Sequence, residues 1–391
     1  MILFRFPLQN ACRYKISTSF QYSFRNLNTK AKRITRLETA TKDNMWTLPI
    51  HVHHPPKEVL SLTPILLICG WAGVGTTDFG ALPKLIASKT QRNVITYDTR
   101  GLGNSKPLYS KDEIETCPSN DLSLDTLTQD VFSIIDLYYD KLHTDMEKEN
   151  LKEFCVGGFS FGGLVSQKIV HDLHGNDPSA ISTQNKNYKI SSMTLVSSLP
   201  LILKKEGIDL LPEDNRVHTK HFLATFDNFN KEDDKYKTAQ KFFDALGKDF
   251  LSRPGREKLR DKLVTTFLES RNEFVNGIGL EWIHAQRRIL LRHSKILGDE
   301  KDCTMNVSTH FDLNGITNTI PTCIIHGKED NIIPIQHASS LHLTFGQNIS
   351  KDNDRNQLHI LEECDHFSWI THGQELCLIF DDFLSTIGSR E

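Results

Sequence analysis

Short, unbroken apolar runs recur along the chain, and most are followed by a segment in which apolar residues return every three or four positions. Pro64-Ile65-Leu66-Leu67-Ile68-Cys69, Asn93-Val94-Ile95-Thr96-Tyr97, Phe154-Cys155-Val156, Ser192-Met193-Thr194-Leu195-Val196 and Thr322-Cys323-Ile324-Ile325-His326 are of this kind. A strand covered on both faces reads as such a run, because neither face meets water. Between the runs, Leu82, Leu85 and Ile86, and then Leu127, Val131, Ile134, Ile135 and Tyr138, form apolar stripes at helical spacing. Strands alternating with helices predict an α/β fold: a doubly wound, mostly parallel sheet with helices on both faces.

The alternation stops after Pro200. Roughly 120 residues separate it from the strand at Thr322, far more than the usual handful in one connection. Ala239–Phe250, Arg256–Phe274 and Leu280–Leu297 carry apolar spacing of three and four, so this stretch is predicted to be a helical cap inserted at a strand's C-terminal end. The expected division is a sheet-and-helix core over 41–200 and 301–391, with the cap over 201–300. The folded part is expected to begin near Met45, with Trp46–His53 as a short edge strand. Residues 1 to 37 contain eight Lys and Arg, several Ser, and no acid before Glu38. That composition, with Ile2, Leu3, Phe4, Phe6 and Leu8 interleaved, is that of a mitochondrial targeting segment, expected over 1–40.

Composition narrows the class. The chain has 391 residues, 46 basic against 49 acidic, and a formal charge of −3, which argues against a general nucleic-acid binder. No run reaches the about 18 apolar residues of a membrane span. The eight cysteines form no C-x-x-C pair, and Cys69, Cys155 and Cys323 lie in apolar runs, as buried free thiols do. His51, His53 and His54 share a short segment but lack the H-E-x-x-H spacing of a zinc site, so no metal or cofactor is expected.

Gly158-Phe159-Ser160-Phe161-Gly162 follows a strand and precedes a helical pattern through Val165, Ile169, Val170 and Leu173. In a sharp strand-to-helix turn the middle residue is strained and its side chain projects above the sheet edge. Glycines two before and two after it avoid a clash between strand end and helix. The N–H of Phe161 would lie at a helix N-terminus, where partial positive charge favours an oxyanion. The pentapeptide alone is weak, since G-x-S-x-G arises by chance; a phosphate loop would need G-x-x-x-x-G-K-[ST] or G-x-G-x-x-G, and neither is present.

The decision rests on the rest of the apparatus. A serine hydroxyl needs a base, and the base needs an orienting acid, both following strands whose ends converge on one edge. Asp330 follows the strand ending at His326, and His366 follows the one ending near Leu361. His359 and His372 are less well placed to reach a strand-end serine. The order Ser, Asp, His is the one expected of a nucleophile elbow on a doubly wound sheet.

With the Gly70-Trp71 loop, the Asp98–Ser105 turn, the serine elbow and the Asp330–His366 pair in this order, the chain resembles the α/β-hydrolase superfamily from Pro64 to its end. The resemblance implies a capped serine hydrolase with Ser160, Asp330 and His366 as triad, and Trp71 and Phe161 supplying oxyanion N–H groups in the substrate site. The substrate class it implies is a small-molecule ester or thioester. Acyl transfer to an alcohol or thiol would use the same triad, and a ligand-binding protein could keep the fold without activity. Two departures stand out: Cys69 precedes Gly70 where many members have His, and Asp365 precedes His366 where many have Gly. Asp365 is expected to face solvent. His284, Arg287, Arg288, Arg292 and His293 are read as a solvated helix face in preference to an anion site.

Overall fold

The computed structural model describes residues 34–56, 62–108, 122–142, 151–174, 187–201, 222–227, 235–251, 253–270, 278–293, 320–346 and 356–388, all within one compact unit. The described strands are β1 (Ile34–Ala40), β2 (Trp46–His53), β3 (Ile65–Ile68), β4 (Val94–Tyr97), β5 (Lys106–Pro107), β6 (Lys152–Phe159), β7 (Tyr188–Val196), β8 (Thr322–Gly327) and β9 (Asn356–Leu361). They form one sheet in the order β1-β2-β4-β3-β6-β7-β8-β9, with β5 alongside β2. Every pair from β4 through β9 is parallel, and β1, β2 and β5 run antiparallel at the other end. This is the α/β-hydrolase fold class.

The helices in chain order are α1 (Leu82–Thr90), α2 (Leu124–Leu142), α3 (Phe161–His174), α4 (Lys235–Leu251), α5 (Glu257–Ser270), α6 (Ile278–His293), α7 (Gln336–Gly346), α8 (Ser368–Thr371) and α9 (Gly373–Gly388). Successive residues of a strand point to opposite faces, and the core divides accordingly. Ile65, Leu67, Val94 and Cys155 pack with Leu82 and Ile86 of α1 and Phe380 and Phe383 of α9. Leu66, Ile68, Ile95 and Val156 pack on the other face with Leu127 and Val131 of α2 and Leu164 and Ile169 of α3. Complete burial of each such side chain stabilises by about 1.5–3 kcal/mol, which explains why the central strands carry no polar alternation.

A strand precedes Met45, the expected start of the folded part. Ile34–Ala40 pairs with β2 in register from Ile34 against His53 to Ala40 against Thr47. The two are joined by a turn in which Trp46 N–H donates to Thr41 Oγ1 at 3.0 Å, Met45 N–H donates to Asp43 Oδ1 at 3.0 Å, and Asn44 takes a φ of 55°. Trp46–His53 is consequently an interior strand, between β1 and β4, and the edge is β1, whose side chains alternate exposed and half-buried. Residues 1–33 of the expected targeting segment lie outside the described residues. Arg100 locks this end down: its Nε donates to Asp130 Oδ2 of α2 and its Nη1 to Asp43 Oδ2, both at 2.8 Å. Asp98 accepts from Thr76 N–H, the Thr76 hydroxyl and Asn104 N–H, so the 98–105 turn is structural.

After β3 the chain passes to β4 on one side and later to β6 on the other. Strand order reverses there, and the crevice at the C-terminal ends of such neighbours is where open α/β sheets bind ligands. The residues that leave β3 and β6 into that crevice are Gly70-Trp71 and Ser160.

Candidate active site

Ser160 follows β6 directly and has a φ of 53°, the left-handed region that L-residues avoid. Its N–H donates to Val196 O at 2.9 Å, and its carbonyl accepts from Gly163 N–H at 2.9 Å and Ser198 Oγ at 3.0 Å, so three bonds hold the strained residue. A Cβ on Gly158 would run into Ser166 Oγ, Gly162 O and Gly163 Cα, and one on Gly162 would meet the Ile68 and Cys69 carbonyls. Both flanking glycines are therefore sterically required, as the elbow motif demands.

His366 comes from the turn after β9. Its Nε2 lies 3.1 Å from Ser160 Oγ, and its Nδ1 lies 2.8 Å from Asp330 Oδ2. Asp330, in the turn after β8, accepts through Oδ1 from the N–H groups of Ile332 at 2.9 Å and Ile333 at 2.8 Å. With Asp330 accepting at Nδ1–H, the imidazole presents an unprotonated Nε2 to the serine hydroxyl and can take its proton. Burial alone would push the Asp330 carboxyl up. The charge and hydrogen bond of His366, with His326 and the Ile333 N–H, outweigh burial and hold it below the ordinary carboxylate range.

The loop after β3 lies against the serine: a Cβ on Gly70 would stand 3.3 Å from Ser160 Cβ and 3.8 Å from its Oγ. Gly73 N–H donates to Gly70 O at 3.0 Å, closing a turn around Trp71 and Ala72, and Ala72 has a φ of 58°. The Trp71 ring sits edge-on to Phe222 at 5.3 Å and Phe226 at 5.2 Å. Phe161 is the first residue of α3, with its side chain buried. The structure thus brings Ser160, Asp330, His366, Trp71 and Phe161 to one edge, from four separate segments.

Asp365 does not face solvent. It is 8% exposed, and its Oδ1 accepts from Phe367 N–H at 3.0 Å, capping the turn that presents His366. Gly247 of α4 packs over it, since a Cβ there would stand 3.3 Å from Asp365 Oδ2, and Phe243 meets Phe367 with ring centroids 5.7 Å apart. Arg287 donates to Asp227 Oδ1 at 2.6 Å, so a carboxylate of its own chain already engages this cation. Trp282 is buried against Trp46. Among the described residues, no cluster of His, Cys, Asp and Glu is arranged to hold a metal ion, and no helix is long and apolar enough to cross a membrane. Cys69, Cys155, Cys323, Cys364 and Cys377 are free thiols.

Sequence reasoning took His326 only as a strand end. Its Nε2–H donates to Ile333 O at 2.6 Å and lies 3.4 Å from Asp330 Oδ2, so it braces the turn that carries the acid. Behind it His337 is 4% exposed and finds no partner for either ring nitrogen. Burial first, and then the neighbouring His326, lower the His337 ring to about 4 from its ordinary 6.5; burial and His51 do the same for His53. The unfolded rings take up a proton near 6.5 and the folded ones only near 4, so this stability is complete above about 6.5 and is lost as pH falls towards 4. At pH 5 each ring is expected to cost about 2 kcal/mol. Thermal melting at pH 7 and pH 5 measures the loss; His337→Leu should shrink it, and an unchanged loss would refute the assignment.

A family model described as alpha/beta hydrolase fold matches residues 63–373, and the chain belongs to that family. Among solved structures it is similar to a bromoperoxidase from Bacillus anthracis, 18% identical with a TM-score of 0.55 over 90% of this chain and 100% of that one. It is likewise similar to a thermophilic esterase from Thermogutta terrifontis, 14% identical with a TM-score of 0.54 over 90% and 99%. These likenesses show the fold. A 2-hydroxymuconate semialdehyde hydrolase of Pseudomonas putida is 33% identical over 78 residues, which span 20% of this chain and 24% of that enzyme.

Proposed function

We propose that the protein is a serine hydrolase that cleaves a carboxylic ester or thioester through an acyl-serine intermediate. The observation that carries this reading is the unbroken relay from Ser160 Oγ to His366 at 3.1 Å and from His366 to Asp330 at 2.8 Å. Ser160 Oγ attacks the acyl carbon while its proton passes to His366 Nε2, and Asp330 steadies the resulting imidazolium. The carbonyl electron pair moves onto oxygen, where the N–H groups of Trp71 and Phe161 receive it. Collapse expels the alcohol or thiol, which leaves with the proton from His366. Water then attacks the acyl-Ser160 ester, gives its proton to His366, and a second collapse frees the acid and restores the serine. The basic, acid-free residues 1–37 support placing this activity in the mitochondrion.

The test is turnover of p-nitrophenyl esters and acyl thioesters of graded chain length, with and without added alcohol. Release of free acid is the expected result. Dominant formation of the transferred ester would replace hydrolysis by acyl transfer on the same triad. A folded protein that turns over no ester or thioester would overturn the reading in favour of a ligand-binding role.

A further inference from the structure

The loop between β3 and α1 that meets Ser160 is not held by its own strand alone. Ala72 N–H donates to Gln286 Oε1 at 3.0 Å, and Trp71 Nε1–H donates to the carbonyl of Ile283 at 3.0 Å. Both acceptors sit one turn apart on α6, more than 200 residues away in the chain. Gln286 is 1% exposed and Ile283 0%, so water does not compete for either bond. The orientation of the glutamine amide follows from its partner: a backbone N–H requires the oxygen on its side. The amide nitrogen then stands 3.5 Å from Thr99 Oγ1, in the turn after β4.

Ala72 occupies the third position of the Gly70–Gly73 turn with positive φ, a conformation an alanine leaves unless something opposes it. The peptide between Trp71 and Ala72 is the one that flips between turn types, and Gln286 Oε1 takes the N–H of that peptide. Trp71 is thereby fixed on both sides of its Cα: through its indole by Ile283 and through its following peptide by Gln286. With Gly70 packed on Ser160, these two bonds constrain the Trp71 backbone, whose own N–H belongs to the preceding Gly70–Trp71 peptide.

We infer that Gln286 of α6 is a positioning residue that holds the Trp71 N–H in line for the oxyanion, coupling the segment between β7 and β8 to the chemistry. The inference rests on the serine-hydrolase reading above. It also answers the departure at Cys69: the support comes from across the fold.

Gln286→Met removes the acceptor at nearly equal size, while Gln286→Glu keeps an acceptor oxygen for Ala72 whether or not the carboxyl is ionised. Turnover of a p-nitrophenyl ester and the rate of fluorophosphonate labelling are measured for both, beside wild type and Ser160→Ala. Gln286→Met is expected to lower kcat and the labelling rate about tenfold to a hundredfold with KM within about twofold, as when an oxyanion donor is misplaced. Gln286→Glu should recover most of that loss. Unchanged kcat in Gln286→Met, a rise in KM alone, or equal losses in both variants would overturn the positioning role while leaving the hydrolase reading intact. A wild type that neither labels nor turns over overturns both. Should Gln286→Met fail to fold, Trp71→Phe, which deletes the indole bond to Ile283, carries the same expectation and the same refutation.

Discussion

Ser160→Ala is expected to abolish covalent labelling by a fluorophosphonate and to lower ester turnover by a factor on the order of 10⁴–10⁶, the range lost when a triad nucleophile is removed. The loss has one cause: no other hydroxyl is held 3.1 Å from His366 Nε2 among the described residues. The fold should survive, because the three hydrogen bonds that hold residue 160 use its backbone N–H and carbonyl and do not involve Oγ. Unchanged melting with lost labelling assigns the effect to chemistry. Labelling that persists in Ser160→Ala would place the reactive group elsewhere and remove the basis of the mechanism.

Asp330→Asn is expected to cost about 10⁴ in kcat with KM little changed, by trapping the wrong tautomer of His366. The two carboxylate oxygens have unequal partners. Oδ1 accepts two backbone N–H groups, from Ile332 and Ile333, and Oδ2 faces His366 Nδ1 and His326 Nε2. An asparagine must keep its oxygen between the two backbone donors, which turns its NH₂ towards His366. Nδ1 then becomes the acceptor, the ring proton moves to Nε2, and the atom that should take the serine proton already carries one. Comparing kcat for Asp330→Asn and wild type across neutral pH checks this; a loss under about tenfold would remove Asp330 from the orienting role. The geometry also predicts that the substituted amide does not rotate to rescue itself, because rotation would set NH₂ against two N–H donors.

Much of the fold was legible from local pattern. Buried parallel strands announce themselves as continuous apolar runs, and the elbow announces itself because its steric demands at Gly158 and Gly162 are local. Ser160, Asp330 and His366 could be placed in order because strand ends share one edge. The missed features have different causes. Ile34–Ala40 has its apolar residues at positions 34, 37 and 40, without the period-two alternation of a half-buried strand, and its Arg36 and the basic residues before it carried the composition of a leader, so nothing local announced a strand. Asp365 was expected to face solvent, as a charged residue in a turn usually does; the N–H of Phe367 and the overlying Gly247 decide otherwise. His326 looked like the end of a strand, and nothing near it in sequence announces a bond to Ile333.

The sequence by itself determined the class of architecture, the nucleophile turn and the chain order of the candidate triad, since each depends on residue type and spacing over a few turns of helix or one strand. Only the tertiary structure decided which groups hold those residues in line. Gln286 reaches Ala72, and Ile283 reaches Trp71, across more than 200 residues of chain. A hydrogen bond between distant segments depends on the packing of whole elements, and no local periodicity encodes it.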